Sequence, residues 1–395
     1  MEIYNFDKII DRHGSYAIKC DGLNAKFGRE DLEPLWIADM DFEVCPAISK
    51  AMIKRMQHPV YGYAYAPDSY WESIMKWLNR RHNWNVKREE LTFIPGVVRG
   101  VAYAVNYFTK PGDKIIIQPP VYHPFKMVIE GNDRIAVNNP LIFEDNNYKM
   151  DIEWLKKLLD VEEAKRPKML ILCNPHNPAG IQWNEDTLKQ LAIVSSQYNI
   201  KVVSDEIHGD LMLYGRRHIP FATVNKEAEK VAITLGAPSK TFNIPGMVSS
   251  WMVINNPELR TPFYKWLEAN EFSSPTFMAT LATEAAYCNG EEWLNQMLKY
   301  IEGNIAAVEE YLANNIPAIK AIRPEASFLI WLDCHELGLS QDQLVDLFVD
   351  KAHLALNDGE MFGKEGIGFM RLNVASPRSI IINALKHLHE AINKM

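Results

Sequence analysis

Val231-Ala232-Ile233-Thr234-Leu235-Gly236-Ala237-Pro238-Ser239-Lys240-Thr241-Phe242-Asn243-Ile244-Pro245-Gly246 runs from an apolar segment into a turn punctuated by proline and glycine. An apolar run closed by Gly236 predicts a strand buried on both faces. A lysine just past the end of such a strand stands where open α/β sheets bind ligands. Lysine is rarely buried without a partner, and desolvation disfavours its charged form, which makes the amine a Schiff-base former. A lone loop lysine is ordinarily a solvated one. Lys240 is not alone.

Upstream, Val202-Val203-Ser204-Asp205-Glu206-Ile207-His208 is a second strand, ending in a carboxylate. A third apolar run, Met169-Leu170-Ile171-Leu172, leads into Cys173-Asn174-Pro175-His176-Asn177-Pro178-Ala179-Gly180. Strand ends of a parallel sheet share one edge, so Asn177, Asp205 and Lys240 can converge. Pyridoxal phosphate (PLP) chemistry wants these three residue types. Its ring accepts the charge developed at an amino acid's Cα best when the pyridine nitrogen stays protonated, and an adjacent carboxylate favours that form. Asp205 is the candidate for this role. Asn177 is the candidate donor to the ring's phenolic oxygen and to the substrate carboxylate, and Lys240 the group that attaches the cofactor and moves protons. Singly, Asp205 also reads as a helix N-cap and Asn177 as a turn former; the three together favour a site.

Further segments carry a resemblance: Trp36-Ile37-Ala38-Asp39-Met40-Asp41-Phe42, Tyr61-Gly62-Tyr63, Tyr122-His123-Pro124-Phe125, Ser204 to Asp210, Pro238 to Gly246 and Arg371-Leu372-Asn373. With Cys173 to Gly180 they span essentially the whole chain. On them the chain resembles the fold-type I PLP enzymes of the class I/II aminotransferase superfamily. Within it, the chain resembles the cystathionine β-lyase-type C–S lyases (MalY/PatB type). The lysine and Asn-Pro motifs point to the superfamily, and the Trp36–Phe42 and Ser204–His208 segments to the lyase branch. The resemblance implies an α/β PLP-transferase fold, with a mostly parallel sheet between helices and a smaller α/β domain. It also implies PLP as cofactor, an amino-acid substrate and a homodimer.

Pro95-Gly96-Val97-Val98 closes a strand and opens a helix, whose free N–H groups suit a phosphate; Gly96, Val97 and Val98 are the candidates, with the Ser239 hydroxyl beside the lysine. Many aminotransferases add an arginine at the position that Val248 occupies here. The resemblance implies that Tyr122 stacks on the pyridine ring, that Tyr63 reaches the phosphate of a neighbouring subunit and that Arg371 grips the substrate α-carboxylate, with Ala38 adding backbone contacts. A guanidinium fork matches a planar carboxylate. His208 stands where many relatives place a tyrosine near the phenolic oxygen; a structural histidine fits that position equally. Ala179 replaces a threonine common among relatives.

The 395 residues exceed the usual span of one core, and boundaries near 45 and 288 are expected, giving a large domain of 46–287 and a small one of 1–45 with 288–395. From about residue 90 strands alternate with helices, the pattern of a parallel sheet covered on both faces. Candidate strands are 91–94, 114–117, 168–172, 201–203, 231–235 and 251–254; helices are expected at 98–108, 151–159, 185–198, 275–287 and 291–314. A net charge of −8 offers no electrostatic footprint for nucleic acid or an anionic membrane. The five cysteines are widely spaced without a CxxC pair, so neither a zinc site nor a disulfide framework is expected. The N-terminal residues lack a signal-peptide pattern and no apolar stretch approaches a membrane span, so a cytoplasmic protein is expected.

Two chemistries begin alike on this constellation. A β-lyase expels a thiol from Cβ and leaves pyruvate and ammonia, whereas an aminotransferase passes the amino group to a 2-oxo acid. The lyase-branch segments favour elimination. A PLP-binding regulator without catalysis would need an added DNA-binding module, for which nothing before Trp36 speaks, and it ranks last.

Overall fold

The computed structural model describes residues 2–395. Seven strands, β1 (Leu91–Ile94), β2 (Lys114–Ile117), β3 (Ile135–Asn138), β4 (Met169–Cys173), β5 (Lys201–Asp205), β6 (Ala232–Gly236) and β7 (Ser250–Val253), form one sheet in the order β1-β7-β6-β5-β4-β2-β3. Strands β3, β2, β4, β5 and β6 are parallel, and β7 runs antiparallel to both β6 and β1. Side chains alternate across the sheet. Ile115, Ile117, Ile171 and Val203 join one apolar core, while Ile116, Leu170, Leu172 and Val202 join the other. Both faces are therefore covered, as the continuous apolar runs required.

The register decides where the chemistry falls. Cys173, Asp205 and Leu235 stand abreast on β4, β5 and β6, so the segments that follow them emerge along one edge. β1 also ends there and feeds the helix Val97–Phe108. Because β7 runs the other way, it begins at that edge, bringing Val248 and Ser249 beside the same opening.

A second, antiparallel sheet holds β8 (Lys320–Ile322), β9 (Leu329–Asp333), β10 (Asn357–Asp358) and β11 (Phe369–Asn373) in the order β8-β9-β11-β10. Arg371 lies in β11, paired with Trp331 of β9 and Asn357 of β10. Residues 33–34 pair with Leu354–Ala355, and the Asn373 amide donates to the Leu35 carbonyl, so the N-terminal segment is laid along β11. The long helix Glu291–Asn315 leads from the first sheet to the second and packs against the closing helix Arg378–Ile392.

The six strands expected from the sequence are present, with ends shifted by a residue or two. The seventh, β3, is an edge strand with no fully buried residue, and its apolar stretch, Ile135-Ala136-Val137, is too short to announce it. The antiparallel sense of β7 is new as well: an apolar run fixes burial but carries no direction. The helices Pro46–Met56, Asp68–His82, Pro124–Gly131 and Pro257–Ala269 add to those expected. No helix among the described residues is long and apolar enough to cross a membrane.

Gly236 closes β6 against the Trp251 ring, and a Cβ there would lie 2.3 Å from Trp251 Cζ2. Ring and backbone are both held in the sheet, so Gly236→Ala is expected to cost about 1–3 kcal/mol. A lower thermal midpoint measures it; an unchanged one would contradict the packing described.

Candidate active site

A cavity of about 560 Å³ opens at the shared strand edge. It gathers Lys240, Asp205, Asn177, Tyr122, His208, Ser239, Arg371, Ala38, Gly96, Val97 and Val98, every candidate from the sequence except one. Tyr63 is fully exposed on a segment without helix or strand and lies outside this cavity.

Lys240 sits in a single helical turn, Pro238–Thr241, directly after β6. Its amine donates to the Ala38 carbonyl at 2.6 Å. Burial pushes its pKa down to about 8; Asp39 opposes this, Arg371 adds to it and Asp205 opposes it. Asp205, at the end of β5, accepts from the Ile207 amide at 3.1 Å. Burial drives its carboxyl up to about 7, against the Ile207 N–H and Lys240. No helix follows Asp205, so it is not a helix N-cap; the Ile207 contact is a local turn.

Arg371 is buried, and its guanidinium is already oriented. Nη1 donates to Asn177 Oδ1 at 2.9 Å, while Nη2 donates to Asn357 Oδ1 at 2.6 Å and to the Trp36 carbonyl at 3.2 Å. Its face lies over Phe362, 4.9 Å from the ring centroid. Nε has no partner among the described residues. Of five N–H donors, three are committed and two remain for a ligand. Asn177 spends its carbonyl oxygen on Arg371, which leaves the amide nitrogen as its donor.

Two imidazoles, His208 buried and His123 half-buried, complete the wall. His208 Nδ1 has no partner among the described residues, and burial, with Lys240 and Arg371, holds its pKa at about 3. His123 Nδ1 is also unpartnered, and burial, with Arg371 and Lys26, holds it at about 4. Both rings are neutral at physiological pH. The Tyr122 phenol is held above its usual value by burial first and by Asp205 next.

Gly96, at φ +121°, occupies backbone space that favours glycine and delivers the chain into the helix Val97–Phe108. The amides of Val97 and Val98 have no acceptor among the described residues. Arg99 lines the cavity next to them, with Nη1 donating to the Pro95 carbonyl at 2.9 Å. Val248, at the position where many aminotransferases carry an arginine, holds φ +51°, a rare conformation for a β-branched residue.

Sequence reasoning did not single out Lys26, His123, Arg99, Asn357 or Met361 as cavity residues. It also missed an ionic cluster beneath Ala38. Arg12 binds Asp39 at 2.8 Å and Asp41 at 2.7 Å, and the fully buried Lys19 binds Asp41 at 2.7 Å. Asp39 and Asp41 stand within a segment quoted for the resemblance; Arg12 and Lys19 lie where no periodicity marks them.

The family model for aminotransferase class I and II matches residues 30–388, and the chain belongs to that family. The cystathionine beta-lyase PatB of Bacillus subtilis (strain 168) is 39% identical over 98% of this chain and 100% of its own length. A PLP-bound protein from Clostridium difficile 630, provisionally named an aminotransferase, is 42% identical, with a TM-score of 0.95 over 99% of this chain and 100% of that one. Cystalysin from Treponema denticola, solved with a pyridoxal 5′-phosphate cofactor, is 33% identical, with a TM-score of 0.95 over the whole of both chains.

The cavity residues fit that cofactor. Unpartnered amides at a helix start suit its phosphate, a buried carboxylate suits its pyridinium nitrogen, and a half-buried amine with its pKa lowered to about 8 suits its aldehyde. Competitive acylation of the cofactor-free protein across a pH series is expected to give Lys240 an apparent pKa of about 8. An ordinary lysine value would contradict its burial.

Proposed function

We propose that this chain is a PLP-dependent C–S β-lyase, which converts an L-amino acid bearing a thio substituent on Cβ to a thiol, pyruvate and ammonia. One observation carries it: a half-buried amine with its pKa lowered to about 8, a buried carboxylate and a buried guanidinium face one cavity, in a chain matched end to end by a cystathionine beta-lyase. When bound, PLP supplies an electron sink for the charge left at Cα. Val97, Val98 and Ser239 would hold its phosphate, with Arg99 supplying the positive charge that Val248 does not. Asp205 would keep its ring nitrogen charged, Asn177 and His208 would stand at its phenolic oxygen, and Tyr122 would offer a ring face.

Arg371 would bind the substrate α-carboxylate, helped by the Asn177 amide. That grip would turn the Cα–H bond towards Lys240 Nζ. Lys240 would accept the Cα proton on Nζ. The Cβ–S bond pair leaves with sulfur, the proton held on Nζ passes to that sulfur to give the thiol, and the enamine product takes up water to become pyruvate and ammonia.

We read the chain as a large PLP-binding domain of 46–287 and a small domain of 1–45 with 288–395. Lys240, Asp205 and Asn177 come from the first, Arg371 and Ala38 from the second. The five free cysteines suit a reducing compartment, and the cytoplasm is the proposed place of work. We further infer a C₂ homodimer in which Tyr63 of one protomer reaches the phosphate site of its partner. The exposure of Val60, Tyr61, Tyr63 and Tyr65 on one segment supports it.

Transamination is the second reading, favoured by the description of the family model and by the name given to the Clostridium difficile relative. Pyruvate release from cystathionine and S-alkyl cysteines, set against oxo-acid formation with 2-oxoglutarate, separates the two. Pyruvate is expected, and its loss in Lys240→Ala. Rapid turnover of 2-oxoglutarate without pyruvate would put transamination in its place. Arg371→Lys keeps the charge and loses the fork, so kcat/KM should fall about 100-fold; a wild-type value would remove Arg371 from carboxylate binding. Sedimentation should show a dimer, and Tyr63→Phe should weaken PLP retention on dialysis. A monomer of full activity would overturn the shared site.

A further inference from the structure

Next to Lys240 along the chain, Thr241 touches a buried polar block that the proposed reaction does not use. Asp210 is at its centre. Its Oδ2 accepts from the Thr241 hydroxyl at 2.9 Å, and its Oδ1 accepts from Trp77 Nε1 at 2.9 Å and from His82 Nε2 at 2.8 Å. Burial alone would raise the Asp210 carboxyl, yet the hydrogen bond and charge of His82, with Arg81 and Trp77, hold it below the ordinary carboxylate value. The His82 ring meets the His218 ring edge-on, with centroids 5.3 Å apart, and His218 in turn binds Glu206 at 2.7 Å. Glu206 follows Asp205 directly, as Thr241 follows Lys240.

The turn Pro238–Thr241 is too short to hold itself, since a helix of one turn lacks the cooperativity that stabilises longer ones. Its geometry must come from outside. The Lys240 amine meets the Ala38 carbonyl, and the Thr241 hydroxyl is the side-chain bond that ties the turn to a fixed charge. A buried carboxylate with three donors is rigid, because each lost bond would leave a buried polar atom unpaired.

We propose that Asp210 is a positioning residue for Lys240, acting through the Thr241 hydroxyl to fix where the lysine amine stands. Given the lyase reading above, this position sets how well Nζ meets the Cα proton without touching how the α-carboxylate is bound. Asp210 and Thr241 contact neither substrate nor cofactor.

The test uses Thr241→Val, which keeps the shape and removes the hydroxyl, and Thr241→Ser, which restores it. Three readouts are taken: the apparent pKa of Lys240 by competitive acylation of the cofactor-free protein, kcat and KM for pyruvate release, and the thermal midpoint. Thr241→Val is expected to fold, to lower kcat about tenfold with KM within about twofold, and to move the Lys240 pKa back towards the ordinary lysine value. Thr241→Ser should return both. Asp210→Asn should act in the same direction, and if it does not fold, the Thr241 pair decides. Wild-type kcat and an unmoved Lys240 pKa in Thr241→Val would overturn the proposal, as would a loss in Thr241→Ser equal to that in Thr241→Val. If wild-type protein releases no pyruvate, the lyase reading fails, and the acylation readout still decides whether Asp210 positions the amine.

Discussion

An amine and a carboxylate desolvated together at the end of a parallel sheet are expensive, and much of this chain is arranged around that cost. Burial holds Lys240 down from the ordinary lysine value of 10.5 to about 8. At 1.36 kcal/mol per unit this is about 3 kcal/mol against the charged amine. The sign follows from the direction: with a folded pKa below the unfolded one, the cost stands in full below about pH 8 and fades as pH rises towards the ordinary lysine range. Asp205 bears the opposite shift from the same burial. A fold that only needed stability would place neither group there. Perturbed pairs of this kind gather where chemistry is done.

The segment Trp36–Phe42 shows how the cost is carried. Asn373 donates to the Ile37 and Asp39 carbonyls at 2.6 and 2.7 Å, Asn243 donates to those of Met40 and Phe42, and Arg371 donates to that of Trp36. Below it, Arg12 and Lys19 neutralise Asp39 and Asp41. The Ala38 carbonyl is thus fixed before Lys240 meets it. Breaking one partner of a buried pair of this sort costs far more than the pair contributes. The N-terminal segment, β11 and the lysine turn therefore form one unit, although they lie at the start, the end and the middle of the chain.

How much of this the sequence disclosed follows from what local patterns encode. Apolar runs ending in Gly236, Asp205 and Cys173 disclosed three neighbouring strands and their common edge, because burial on both faces leaves a mark on every residue of a strand. The residues Asn177, Asp205 and Lys240 were legible for the same reason: each follows such a run. Arg371, Tyr122 and Ala38 were legible only through resemblance to a family. The β3 edge strand, half solvated, left only a short apolar stretch. The direction of β7 left no mark, since an apolar run reads the same both ways. Lys26, His123 and Arg99 converge on the cavity from separate turns and helices, and convergence across the chain has no local period. The Asp210 block was hidden likewise: His82 ends a helix that the sequence reading did not expect, and its partner lies far along the chain.

The central claim is that the amine of Lys240 is the group that carries the cofactor. Borohydride reduction of the purified holoprotein, followed by proteolysis and peptide mass mapping, tests it most directly. The account predicts a single pyridoxyl-modified lysine, at position 240. A pyridoxyl group on any other lysine, or on none in a protein that still releases pyruvate from S-alkyl cysteine, would contradict it.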